Sequence, residues 1–152
     1  MAFIRGGNAT LTLVRSSPLG TQALTTQLNN VSISFDSGQV EVTSLGDGSR
    51  DYQGTILKGT ITASGFFDDT SVGATAGADY FLQNALENDQ LLNWALVLGT
   101  GTTRTYSNSG YSTGSPSTLH GCKVASYEQS NDMQGIAAFS ITLTIHGTWT
   151  VA

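Results

Sequence analysis

The carboxy-terminal stretch GIAAFSITLTIHGTWTVA sets Ala137, Phe139, Ile141, Leu143, Ile145, Trp149 and Val151 on one parity against Ala138, Ser140, Thr142 and Thr144. Alternation of period two marks a half-buried strand, because successive side chains leave opposite faces of the pleated backbone. Two earlier segments follow the same rule. Val31, Ile33 and Phe35 alternate with serines, and Leu57, Ile61, Ala63 and Phe67 oppose Lys58, Thr60, Thr62 and Ser64. Between them, Asp36-Ser37-Gly38 offers the positive φ of a tight hairpin or bulge, and Val40 and Val42 resume the alternation to Ser44. The next nine residues, Leu45, Gly46, Asp47, Gly48, Ser49, Arg50, Asp51, Tyr52 and Gln53, supply almost nothing for a core. They are predicted to project from the body as a loop, which calls for a functional reason.

The remaining elements carry shorter signals. Leu11 and Leu13 alternate with threonines, predicting a first strand over 9–15. Residues 21–30, anchored only by Ala23, Leu24 and Leu28, read as a connection or a weak strand. After an irregular stretch over 68–77, residues 78–88 carry Phe81, Leu82, Ala85 and Leu86 as the apolar stripe of one short helix, with Asp79 in its first turn where the helix dipole favours a carboxylate. So short a helix is marginal alone, so its stripe must pack on the sheet. Further strands are predicted over 93–98 and 102–107, flanking Gly99-Thr100-Gly101, and over 119–128.

Length and composition narrow the class. A chain of 152 residues suits a single domain over 1–152. Only 11% of residues are charged against 39% hydrophobic, and a remainder rich in Thr, Ser and Gly favours sheet and turn. The formal net charge of −5 argues against a protein that grips nucleic acid by neutralising phosphates. The single cysteine, Cys122, precludes an internal disulfide and reads as a small buried residue. The amino end lacks the apolar core of a secretory signal and no run approaches ~18 apolar residues, so neither export by that route nor a membrane anchor is expected.

No reactive constellation emerges. Asp68-Asp69 reads as a solvated turn. Asp47, Ser49 and Asp51 have the spacing of the first ligands of a calcium loop, but Tyr52 stands where that loop needs glycine and Lys58 where it needs glutamate. His120 and His146 lack metal-ligand spacing, no G-x-S-x-G elbow is present, and Gly99 to Arg104 lacks the Lys-Ser/Thr ending of a phosphate loop. The expectation is therefore a non-enzyme with no catalytic residues, cofactor or metal, working by what it binds or builds. Long strands with Thr/Ser faces invite closure into an intermolecular barrel, which removes sheet edges.

The order of these features resembles the tail tube proteins, or major tail proteins, of long-tailed bacteriophages. ISFDSGQVEVTSLGDGSRDYQGTILKGTITASGFFDDT is similar to that family's strand, turn, strand, long loop and strand ending in Gly and Asp. ADYFLQNALEND resembles its single helix, HGCKVASYEQSND its penultimate strand, and AAFSITLTIHGTW its closing strand. The resemblance covers most of 31–149. It implies a mainly β fold, a β-sandwich or partly closed barrel with one flanking helix at about 78–88. It further implies hexameric rings stacked into a tube, the conduit for DNA ejection. The partners implied are further copies of the chain, tape-measure, tail terminator and tail tip proteins, and DNA passing transiently without tight binding. The implied location is the virion tail, after synthesis in the cytoplasm of a bacterial host. Residues 45–53 match the family's inter-ring loop. Thr60, Thr62, Ser64, Ser140, Thr142 and Thr144 are then expected to face the lumen, with Ile61, Ala63, Phe139, Ile141 and Leu143 in the core and Phe81, Leu82, Ala85 and Leu86 packing the helix outside the barrel. Lys58 shares the parity of Thr60 and is expected at the rim beside an acid of the loop. Two other readings stay open: the tube of a type VI or other contractile injection device, and a monomeric carbohydrate-binding sandwich stacking sugars on Trp94, Tyr106 and Tyr111.

Overall fold

A computed structural model describes residues 9–16, 19–23, 28–46, 48–66, 78–99, 103–130 and 137–152. The elements are β1 (Thr10–Ser16), β2 (Leu19–Ala23), β3 (Leu28–Glu41), β4 (Tyr52–Phe66), α1 (Ala78–Glu87), β5 (Leu92–Leu98), β6 (Arg104–Asn108), β7 (Gly121–Ser130), β8 (Ala138–His146) and β9 (Trp149–Val151). The strands form one antiparallel sheet in the order β2-β1-β5-β7-β8-β4-β3, with β6 pairing β5 and β9 pairing β6. The sheet is not closed. β5 and β7 are in register only at Leu92 and Cys122, so the sheet folds over at this joint and its two halves face each other.

One core fills the space between them. Leu11 and Leu13 of β1 and Leu92, Trp94 and Leu96 of β5 share a buried cluster with Ile61 and Ala63 of β4, Cys122 and Val124 of β7, and Phe139, Ile141, Leu143 and Ile145 of β8. Alternate residues of these strands point inward, as the period of two predicts. The joint itself depends on Gly121: a Cβ there would run into the carbonyl oxygen of Leu92.

The helix adds Phe81, Leu82 and Ala85 to the same cluster. Leu86, expected to complete the stripe, is instead 39% exposed. It lies a further ~100° round the helix from Ala85, outside the arc that touches the sheet. The helix ends where Asp89 takes a positive φ of 49° and the Gln90 N–H donates to the Ala85 carbonyl.

A buried polar knot fixes the opposite side of β5. Asn108 donates to Asn93 Oδ1 at 2.7 Å and to the carbonyls of Ser109 and His120, and its own oxygen accepts the Trp94 N–H at 2.8 Å. Asn93 in turn donates to the Ser117 carbonyl and accepts the Ser117 N–H. These contacts staple residues 109–120 onto the sheet and satisfy two asparagines that are otherwise costly to bury.

Several boundaries differ from expectation. Tyr52 and Gln53, read as loop, are the first residues of β4, paired with Glu41 and Val40. Asp36-Ser37-Gly38 makes no hairpin, since β3 runs through it to Glu41, but the alternative of a bulge holds, with the register against β4 shifting between Ser37 and Gln39. β6 and β7 each lie about two residues later than predicted, at Arg104–Asn108 and Gly121–Ser130. Asp47, Phe67, Asp68 and Asp69 fall outside the described residues, as does the side chain of Asp79.

Candidate assembly surfaces

Register turns the alternating pattern into a surface. Thr60, Thr62 and Ser64 of β4 lie directly opposite Thr144, Thr142 and Ser140 of β8. β3 sets Ser34, Ser32 and Asn30 beside the first three, and β7 sets Lys123, Ser126 and Glu128 beside the second three. Opposed residues share a face, so four strands present one polar face whose centre is hydroxyl. Its charges sit at the margins. Lys123 forms an ion pair with Asp89 at 3.0 Å, and Glu128 borders a cavity of about 230 Å³ with Ser64 and Ser140. Lys58 lies opposite Asp36 of β3 rather than an acid of the loop.

The second feature is an arm. β4 pairs β8 only from Thr60 to Phe66, whereas its pairing with β3 continues to Tyr52. Beyond Thr60 the hairpin is therefore a two-stranded ribbon. All the side chains described over 34–46 and 48–58 are exposed, among them Val40 (54%), Leu57 (61%) and Leu45 (106%). A bulge divides ribbon from sheet: Ser37 pairs Leu57 but Gln39 pairs Gly54, so Thr55 and Ile56 oppose Gly38 alone. Such an insertion bends the bulged strand and raises its twist. The loop is thus 42–51, closed by the Val42 N–H to the Asp51 carbonyl at 2.8 Å and the Asp51 N–H to Thr43 Oγ1 at 2.9 Å. Arg50 and Glu41 approach at 4.0 Å, an exposed pair worth little.

The arm is anchored at its root by aromatic contact. Phe35 stacks on Trp149 with ring centroids 4.6 Å apart and leans on Tyr106 at 6.3 Å. A cleft of about 560 Å³ beside them is lined by Leu57, Gly147, Thr148 and Trp149.

The rival chemistries are not assembled. Trp94 is fully buried and Tyr106 packs on Phe35, and burial pushes the Tyr111 phenol pKa up, so the three aromatics form no common stacking platform. His120 precedes β7 and accepts the Thr148 N–H on Nδ1 at 3.1 Å, while His146 ends β8 exposed. Among the described residues no group of three or more His, Cys, Asp or Glu is placed to hold a metal. Cys122 is buried and its thiol pKa is pushed far up by desolvation, which leaves it inert as a nucleophile.

No protein-family model and no curated protein matches the chain. Its fold, however, is that of tail tubes. It superposes on a chain from the SPP1 tail tube with a TM-score of 0.71 at 11% identity, covering 97% of this chain and 79% of the other. A chain from the tail of an empty gene transfer agent particle, solved with C6 symmetry, gives 0.70 at 16% identity and covers 97% and 98%. A chain from the sheath-tube complex of an extracellular contractile injection system gives 0.64 at 14% identity and covers 99% and 91%.

Proposed function

We propose that this chain is the structural unit of a phage-type tail tube, in which six copies close into a ring and rings stack into a conduit for DNA ejection. The observation that carries the reading is the four-strand polar face open at both edges. β7, β8, β4 and β3 alternate in direction, so rotational symmetry brings β3 of one copy antiparallel to β7 of the next. An even number of strands per copy closes without a mismatched seam, and closure removes both edges. Thr60, Thr62, Ser64, Ser140, Thr142 and Thr144 then line the lumen. A hydroxyl wall suits DNA in transit, since cationic side chains would bind phosphates by releasing counterions.

The arm reaches the neighbouring ring through its loop at 42–51. Its exposed apolar residues, and the lack of a third strand there among the described residues, give it no role in the monomer's own core. Partners on this reading are further copies of the chain, with tape-measure, terminator and tip proteins at the ends of the tube, and the working location is the virion tail. No catalytic step is assigned. The likeness to a contractile injection chain supports the same architecture with another cargo, but its TM-score is no higher than those of the tail-tube chains.

Electron microscopy and sedimentation of the purified protein test the proposal. Six-fold rings or tubes of uniform bore are expected. A species that stays monomeric at high concentration and under tail-assembly conditions contradicts it.

A further inference from the structure

The two open edges carry information beyond the fact of closure. Among the described residues β3 is the last strand of the sheet, with β4 on one side and no strand on the other. On its outer side β7 pairs with β5 only at Cys122, and from Val124 to Ser130 no strand among the described residues pairs that edge, although α1 also packs against β7. Polar faces must meet polar faces, and a slip of one residue would reverse every side chain, so the registers available differ by steps of two.

β7 carries a bulge between Val124 and Ser126 in its pairing with β8, and with that extra residue carried across to the outer edge three neighbouring registers arise. With Ser32 opposite Ser126, Phe35 falls opposite Cys122, a position on the edge already taken by Leu92. With Asp36 opposite Ser126, Ser37 falls opposite Val124 and the bulge next to it enters the seam. With Ser34 opposite Ser126, Phe35 meets Val124 at the last open position and Ile33 meets Tyr127. Both are pairs of an aromatic with a β-branched residue, which favour cross-strand contact. The same register brings Asp36, one residue past the paired segment, beside Lys123. That ammonium already sits near the joint, donating to Asp89 at 3.0 Å, and its three N–H groups can serve two carboxylates.

We infer that a second copy of this chain docks through its β3 edge on β7 with Ser34 opposite Ser126, and that an ion pair between Asp36 and Lys123 fixes the register. The inference rests on the proposed ring, but its test separates the two. Three double-cysteine variants are made in a Cys122→Ala background: Ser34→Cys with Ser126→Cys, Ser32→Cys with Ser126→Cys, and Asp36→Cys with Ser126→Cys. All are assembled under reducing conditions, checked for rings by microscopy, and then mildly oxidised.

Directly opposed strand residues have Cα atoms about 4.5–5.5 Å apart and are within disulfide reach, whereas diagonal ones at roughly 7–8 Å are not. The first variant is expected to give a covalent ladder ending at the closed ring, at least tenfold faster than the other two. Rings in which another pair links faster, or in which none links, overturn the register and leave the ring standing. A wild-type protein that never assembles overturns the ring and the seam with it. A single-cysteine Ser126→Cys control, which must show no ladder, guards against adventitious linkage.

Discussion

The two ends of the β3–β4 hairpin are made of the same strands and serve opposite purposes. At the body end, Ile61 and Ala63 are buried, β8 supplies a third strand, and the outward hydroxyls form part of a continuous polar face. At the arm end no third strand is present among the described residues and the described side chains are exposed, apolar ones included. A lone two-stranded ribbon is marginal in water. The body end explains the fold of one copy, whereas the arm end adds nothing to that core and on the proposed reading serves contact with another copy.

The sharpest way to break this contrast is at the body end. Ile61→Ala removes a fully buried side chain and is expected to cost about 2–5 kcal/mol of monomer stability by denaturant unfolding. A loss near zero would remove the body strands from the core. Asn108→Ala strips the polar knot of its centre, removing the donor to Asn93 Oδ1, which keeps its Ser117 contacts, and the acceptor of the Trp94 N–H. About 1–3 kcal/mol is expected from the same measurement, and an unchanged midpoint would mean that residues 109–120 are held by something else.

The arm end is expected to behave in the opposite way. Deleting Gly46 to Ser49 should move monomer stability by less than ~0.5 kcal/mol, as surface changes do, yet abolish tube growth in electron micrographs. Tubes of ordinary length from that deletion would end the inter-ring role. Leu57→Ser, beside the apolar cleft, should likewise stay within ~0.5 kcal/mol in the monomer. Smallest of all, Thr142→Lys should leave both stability and assembly unchanged while reducing DNA delivery, because its ammonium would meet phosphates in the lumen. Unchanged infectivity would argue against that placement.

What the sequence made legible follows from burial on one face. Ala138 to Ile145 and Thr60 to Gly65 alternate strictly because one side of each strand faces the core, and that period specifies face, partner parity and polar surface together. The ends of the arm are harder to read for the same reason: with both faces in water Tyr52 and Gln53 carry no periodic signal, so the expected loop takes in the first two residues of β4, and the alternation expected to run to Ser44 stops at Glu41. Leu86 belongs to the apolar stripe in sequence but not to the contact, because a helix of ten residues turns only a narrow arc toward the sheet. Asn93 and Asn108 were invisible because a buried asparagine differs from an exposed one only in partners that lie 15 residues apart, and no local pattern announces them.

Hydrogen exchange on monomer and assembled tube tests the division of labour most directly. Amides of residues 60–66, inside a three-stranded region, are predicted to be protected in both forms. Those of the arm, 39–41 and 52–54, are predicted to exchange rapidly in the monomer and slowly in the tube. Arm amides that exchange equally fast in both forms would contradict the claim that the outer half of the hairpin exists to join one copy to the next.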